Sequence, residues 1–195
     1  MKRQRQLTHN QAFAYFVTTT LSRFAKLFNQ NRYADILIRN LNFYRGKLEF
    51  KLLAFVIMPD HIHLIIQPSL KGNISEIVRD FKKYTAKEII HLLEEEKRFG
   101  VLDLFREAAQ RYHFKESREY QVWEDRFDDV ALYSDEVFRA KLDYIHNNAV
   151  KAGLVDNPSD YPYSSARNYN LGDHSVIRVD CETESASAGV KSGTE

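Results

Sequence analysis

The amino-acid sequence predicts an α+β domain with a mainly antiparallel sheet and helices packed on it. Two apolar segments, 49–57 and 61–67, flank the turn-forming residues Met58-Pro59-Asp60 and therefore predict an antiparallel hairpin. Three longer segments carry apolar residues at helical spacing. The predicted order is strand, helix, strand, strand, helix, possible strand and helix, which is compatible with a split β-α-β, ferredoxin-like arrangement. We expect the helices to lie on one face of this sheet.

The first half of the chain supplies a strand, a helix, the hairpin and a second helix. Residues 14–20 are β-branched and aromatic, which is typical of a strand. Apolar residues over 30–45 repeat at helical spacing, and Gly46 stands where it could end that helix. The second helix is predicted over 74–97, because Asn73 is a suitable N-cap residue in front of a long apolar repeat.

The second half of the chain adds a charged stretch and one clear helix. Residues 94–122 are charged, and we interpret them as an insertion with a short helix around 102–111. Residues 121–132 include Val, Trp and Phe side chains and predict an irregular edge strand. A last helix is predicted over 135–151, because Ser134 is a suitable N-cap and acidic residues follow it.

Composition predicts one globular domain and excludes several classes of protein. The 195 residues are 44% hydrophobic and 28% charged, which supplies enough apolar side chains for a real core. We assign the domain to residues 1–170. Residues 171–195 are rich in Ser, Gly, Glu and Thr and hold no aromatic residue, so we expect a disordered C-terminal tail. The single cysteine, Cys181, excludes a disulfide scaffold and a Cys-rich zinc site.

The sequence indicates neither a membrane segment nor an export signal. Its longest apolar runs are too short to span a bilayer, and no apolar core follows the basic N-terminal residues. We therefore expect a cytoplasmic protein without a membrane partner. Motifs for P-loops, dinucleotide binding, serine hydrolysis and zinc proteolysis are not found. With a net charge of +1, any affinity for nucleic acid must come from local basic patches.

The sequence His61-Ile62-His63 is the first candidate for chemistry. Residues two apart in a strand point to the same face, so the two imidazoles would lie side by side as half of a metal site. Asp60 precedes them and could orient a ring or bind the metal itself. The alternative is a pair of hydrogen-bonded histidines on a half-exposed strand. The strand is otherwise apolar, and buried polar rings there need hydrogen bonds or a metal.

Tyr144 and Asn148 form the second candidate. They lie four residues apart on the predicted last helix and share a face with Lys141 and Lys151. A tyrosine hydroxyl can attack phosphorus and form a covalent phosphotyrosine, and an asparagine carbonyl oxygen can bind a metal. The alternative is a structural tyrosine beside the buried stripe of the helix.

A row of basic residues on the second helix is the third candidate. Arg79, Lys83 and Lys87 lie four residues apart, with Lys82 beside them. They could contact the phosphates of a nucleic acid, or they could form an ordinary solvated face. Aromatic residues 161–169 could likewise stack on bases or lie over the core as a C-terminal strap.

Three sequence blocks in this order resemble a known family. FVIMPDHIHLIIQP, then KLDYIHNNAVKAGLV, then DYPYSSARNY are similar to the REP-associated tyrosine transposases, which are single-tyrosine HUH transposases of the insertion-sequence-200 type. The resemblance covers residues 12–170. It implies a ferredoxin-like HUH domain that carries out DNA transposition and recombination as a metal-binding endonuclease.

The resemblance also implies roles for individual residues. His61, His63 and Asn148 match the three metal ligands, and Tyr144 matches the nucleophile. The implied metal is Mg²⁺ or Mn²⁺. The implied reaction is transesterification of single-stranded DNA through a 5′-phosphotyrosine, at hairpins formed by palindromic repeats. The acting form would be a monomer or a homodimer. We also expect the basic residues to bind DNA; these are Arg79, Lys82, Lys83, Lys87, Lys141 and Lys151.

Two departures from the family keep other functions open. Ala149 stands where relatives usually have proline, and residues 94–122 are longer than in compact members. One alternative is a domesticated protein that binds DNA or RNA hairpins without cleaving them. The other is a metal-dependent phosphohydrolase that uses His61, His63 and Asp60.

Overall fold

The computed structural model describes residues 13–70, 72–111 and 118–180, and these residues form four strands and six α-helices. Among them, no helix combines the length and the apolar character that crossing a membrane requires. In chain order the elements are β1 Ala14–Thr20, α1 Asn31–Leu48, β2 Lys51–Ile57, β3 His61–Gln67, α2 Ile74–Glu95, α3 Phe99–Gln110, β4 Asp128–Leu132, α4 Asp135–His146, α5 Asn148–Lys151 and α6 Ala166–Leu171.

The four strands form one sheet in the order β2-β3-β1-β4, with every neighbouring pair antiparallel. This is the strand order of the split β-α-β arrangement, so the predicted α+β fold is confirmed. β3 lies inside the sheet between β2 and β1, and its register places Thr18 opposite His63 and Thr20 opposite His61. The sheet therefore presents the two histidines from a central strand rather than from an edge.

Helices cover both faces of the sheet, so the expectation that they lie on one face is wrong. Ile62, Leu64 and Ile66 of β3 join the larger core with α1 and α2. Ile65 faces the other way and joins a smaller core that includes Ile145 of α4. Because alternate residues of a strand point to opposite faces, β3 is apolar on both of them. The same alternation places His61 and His63 on the α4 face.

Several boundaries differ from the predicted ones. α2 ends at Glu95 rather than 97, α3 is Phe99–Gln110 rather than 102–111, and the predicted edge strand 121–132 is β4 only over Asp128–Leu132. α1 continues through Gly46 to Leu48 and ends where Glu49 adopts a left-handed backbone conformation with φ of 50°. The predicted last helix is interrupted at Asn147 and consists of α4 and α5. The predicted N-caps of α2 and α4 are confirmed, because Asn73 and Ser134 each accept a hydrogen bond from a backbone N–H of the first turn.

The C-terminal segment is a strap over the core, and it extends past the predicted domain end at residue 170. The hydroxyls of Tyr161 and Tyr169 donate to the carbonyl oxygens of Ile57 and Leu53, at 2.8 and 2.9 Å. The stretch 171–180 is not the disordered tail that its composition predicts, because Ile177 and Val179 are buried in the larger core. The remainder of that expected tail, with Cys181, lies outside the described residues.

Candidate active site

Packing of α4 over the sheet brings Tyr144 to the two histidines of β3. The Tyr144 hydroxyl lies 3.4 Å from Nε2 of His63. The ring centroids of His61 and His63 are 4.8 Å apart, and those of His63 and Tyr144 are 5.1 Å apart. His61, His63 and Tyr144 therefore share one site, although His63 and Tyr144 are more than 80 positions apart in the sequence. The sequence indicates the histidine pair and the tyrosine separately.

Both histidines are oriented by a hydrogen bond at Nδ1. His61 Nδ1 lies 2.6 Å from a carboxylate oxygen of Asp60, and His63 Nδ1 lies 2.8 Å from Oγ1 of Thr18. The Asp60 carboxylate can only accept a hydrogen bond, so it favours the His61 tautomer that keeps the lone pair on Nε2, and the Thr18 hydroxyl can accept from Nδ1–H of His63 and support the same tautomer there. Each imidazole is thus held as a metal-binding histidine usually is, with Nε2 as the atom left for a ligand. Asp60 serves in this arrangement as the partner of His61.

Burial keeps His63 neutral. Its side chain is 4% exposed, and burial, followed by the charges of His61 and Lys141, lowers its pKa to about 3. An imidazole must be neutral to bind a metal. His63 is therefore in its ligand form throughout the physiological pH range.

Tyr144 is surrounded by aromatic rings and by two ammonium groups. Phe16 stacks on His63 at 5.3 Å between centroids and meets the Tyr144 ring edge-on at 5.8 Å. Nζ of Lys141 and Nζ of Lys151 lie 5.7 and 5.6 Å from the Tyr144 centroid. The tyrosine is 38% exposed, so a phosphate could approach it on a side of the site that also holds these two cations.

Asn148 begins α5, one turn beyond Tyr144, and is half-buried. In the described part of the chain no hydrogen bond joins it to His61 or His63, so its role as third ligand stays a prediction. The next residue, Ala149, is fully buried in the smaller core. Across residues 13–70, 72–111 and 118–180, no three His, Cys, Asp or Glu side chains are grouped for a metal.

The basic row on α2 lies on the sheet face opposite Tyr144. Arg79, Lys83 and Lys87 are exposed, and their contact with phosphates stays a prediction. Lys82 differs, because its Nζ donates to the backbone oxygens of Glu124 and Asp125, at 2.5 and 3.3 Å. It thus fastens the segment before β4 to α2.

Sequence reasoning missed two residues of the site, Phe16 and Thr18. Both lie on β1 and contact His63 across the sheet. The alternation of β1 could have shown that the two share a face, but it could not show that His63 is their neighbour.

Comparisons with known proteins agree with the fold and with the family that the sequence resembles. Residues 11–108, about half of the chain, match the family model described as "Transposase IS200 like". A curated REP-associated tyrosine transposase from Haemophilus influenzae is 31% identical over 117 residues, which is 60% of this chain and 58% of that protein. The chain thus matches less than two thirds of that relative's length. A solved structure of a REP-associated tyrosine transposase bound to a REP hairpin superimposes with a TM-score of 0.58, at 22% identity over 93% of each chain.

Proposed function

The chain belongs to the IS200-like transposase family, as its motifs predicted, and from that premise we propose that it cleaves and rejoins single-stranded DNA through a phosphotyrosine at Tyr144. The observation that carries this proposal is the position of the Tyr144 hydroxyl, 3.4 Å from Nε2 of His63, on a ring whose centroid lies 5.7 and 5.6 Å from Nζ of Lys141 and Lys151. Both relatives described above are named as REP-associated tyrosine transposases, the branch that the motifs resemble.

The proposed step is a transesterification at phosphorus. The Tyr144 oxygen bonds to the scissile phosphorus, the bond to the 3′ oxygen breaks, and the phenolic proton passes through solvent to that departing oxygen. The products are a 5′-phosphotyrosine and a free 3′-hydroxyl. Lys141 and Lys151 would offset the negative charge on the attacked phosphate. A second 3′-hydroxyl can reverse the step and join DNA ends without an external energy source.

Three side chains would hold a divalent metal beside the tyrosine. Asp60 and Thr18 hydrogen-bond to Nδ1 of His61 and His63 and so leave the Nε2 atoms for an ion, which fits metal binding. Asn148 would add an amide oxygen, which suits Mg²⁺ or Mn²⁺. The chemistry such an ion supplies is polarisation of the scissile phosphate.

Single-stranded DNA with a hairpin is the substrate class that agrees best with what is known of the relatives' DNA. The solved relative is described as bound to a REP hairpin, and we propose the same class of partner here. The exposed Arg79, Lys83 and Lys87 would contact phosphates on the α2 face, while the reaction takes place on the α4 face.

The test is formation of a covalent protein–DNA adduct on a denaturing gel, in the presence of Mn²⁺. Tyr144→Phe removes one oxygen and keeps the ring contacts, so it should bind DNA and form no adduct. Tyr84→Phe is the matched control, because Tyr84 stacks on Tyr44 on the other sheet face. An adduct in Tyr144→Phe that disappears in Tyr84→Phe would move the nucleophile to α2. Binding without any adduct in the wild-type chain would favour the non-cleaving hairpin binder.

A further inference from the structure

A cleft of about 680 Å³ lies between α2 and residues 118–127, on the sheet face opposite Tyr144. This volume is within the range of about 300–1,000 Å³ that is typical of small-molecule sites. One wall is the exposed basic row of α2. The floor is apolar and aromatic, and it consists of Ala86, Ile90, Tyr120, Val122, Trp123 and Phe127.

The wall opposite α2 is held in place by hydrogen bonds rather than being a loose loop. Trp123 donates its indole N–H to Oγ1 of Thr85 on α2, at 3.0 Å. The Ser22 backbone N–H donates to the carbonyl of Val122 at 2.8 Å, and Lys82 holds the backbone of Glu124. The cleft therefore exists before any ligand arrives, which lowers the entropic cost of binding.

The charges of the cleft favour an anion on the α2 side. Within the described residues, Lys83 and Lys87 take part in no salt bridge, whereas each acidic side chain of the other wall has a salt-bridge or hydrogen-bond partner. Glu119 pairs with Arg106 at 3.5 Å. Asp125 accepts a hydrogen bond from Gln121 at 3.3 Å, and a Glu124 carboxylate oxygen accepts one from the backbone N–H of Arg23 at 3.4 Å.

We propose that this cleft binds unpaired nucleotides of the DNA strand, with phosphates on Lys83 and Lys87 and bases on the aromatic floor. This inference rests on the proposed function, because it assigns a second contact to the same substrate. A base face can reach Tyr120 and Phe127, which are half-exposed, only if the base is unpaired. A paired stem would contact the basic row alone and would leave the aromatic floor empty.

The position of the cleft also fits a strand that continues to the active site. The Glu124 backbone N–H donates to the carbonyl of Thr20, and Thr20 pairs with His61 on the next strand. Adjacent strands are about 4.8 Å apart. A DNA strand that leaves the cleft beside Glu124 therefore passes only the end of β1 before it reaches His61 and His63.

The floor contains its own reporter, because Trp123 is the only tryptophan of the chain. The experiment follows Trp123 fluorescence of the full-length Tyr144→Phe protein during titration with a mixed-sequence single-stranded oligonucleotide. The same backbone with all its bases removed and a blunt-ended duplex are titrated separately as controls. We expect the complete oligonucleotide to quench Trp123, and the abasic backbone and the duplex to leave its fluorescence nearly unchanged. Equal quenching by the abasic backbone would overturn base binding in the cleft.

Variants of the cleft separate base contacts from charge. Phe127→Ala should weaken binding of the oligonucleotide roughly tenfold. If Phe127→Ala does not fold, Ala86→Leu replaces it in the test. Leucine is also a good helix former, and its larger side chain would fill the floor and weaken binding to a similar extent. Lys87→Gln should reduce the salt dependence of binding, whereas Lys51→Gln on the distant edge strand β2 should not. Unchanged affinity in both floor variants would refute the proposal.

Failure of this inference can be distinguished from failure of the proposed function. The covalent adduct of the wild-type chain is measured in parallel with the same single strand joined to a hairpin, which is the substrate proposed above. Adduct formation without quenching would overturn the cleft proposal and would still support the proposed reaction at Tyr144. Quenching without an adduct would support the cleft and contradict cleavage at Tyr144.

Discussion

The hydrogen bond between Nδ1 of His63 and Oγ1 of Thr18 gives the sharpest prediction about the metal site. Thr18→Val keeps the shape of the side chain and removes the oxygen that lies 2.8 Å from Nδ1 of His63. His63 is 4% exposed, so its Nδ1 would lose a partner that solvent cannot easily replace. An unpaired buried polar group costs about 1–3 kcal/mol. The proton could then move to Nε2 and block the ligand atom, and metal affinity should fall about 10–100-fold, as for other partners of metal-binding histidines.

The assay is the rate of adduct formation as a function of Mn²⁺ concentration. In Thr18→Val the half-saturating concentration should rise while the rate at saturating metal returns close to the wild-type value. Thr18→Ser retains the oxygen and should behave like wild type. Thr19→Val is the matched control, because Oγ1 of Thr19 is buried without a hydrogen-bond partner, and its removal should stabilise the fold by about 1 kcal/mol. Wild-type metal dependence in Thr18→Val would refute the idea that Thr18 orients His63.

Three further predictions concern the ligands, the substrate and pH. His61→Ala and His63→Ala should each abolish metal-dependent cleavage while DNA binding persists; wild-type cleavage rates in either variant would exclude that residue as a ligand. Cleavage should require single-stranded DNA, and equal cutting of duplex DNA would contradict that requirement. DNA binding should weaken steeply as the salt concentration rises, and this salt dependence should be smaller in a Lys83→Gln, Lys87→Gln double variant. In metal-free buffer the free energy of unfolding should fall as pH drops from about 6.5 towards 4. Burial lowers the pKa of His63 to about 3 and of His146 to about 4, so below 6.5 the unfolded chain binds more protons than the folded one. Urea titrations at several pH values check this, and His146→Gln should reduce the slope.

Local sequence signals predicted most of the elements because those signals are themselves local. β3 is predicted over 61–67 and observed as His61–Gln67, since Pro59 and Pro68 bound an apolar run. The end of α1 could not be predicted in the same way. Gly46 is accommodated inside the helix, and the chain turns only at Glu49, where the left-handed conformation leads into β2. The position of this turn depends on how β2 packs against the helix. No residue type near Glu49 predicts that packing.

The sequence predicted the residues of the candidate site better than it predicted their surroundings. His61, His63 and Tyr144 are recognisable because each stands in a distinctive spacing. Phe16 and Thr18 are not, because their contact with His63 depends on the register between β1 and β3, two strands about 45 residues apart. The helices on both faces were likewise missed, since an apolar strand does not reveal which helix covers each side.

The strap over β2 determines how much of the chain the fold needs. β2 would be an open sheet edge, but its backbone exchanges hydrogen bonds with Tyr163, Ser165 and Asp180. A polypeptide that ended near residue 108, where the family match ends, would contain only three of the strands and would leave that edge bare. Bare edges are templates for aggregation. During synthesis on a ribosome, about 120 further residues must be added after β2 before the segment that covers its edge is complete. Until then the β2 edge of the nascent chain is exposed, and chaperones can bind it.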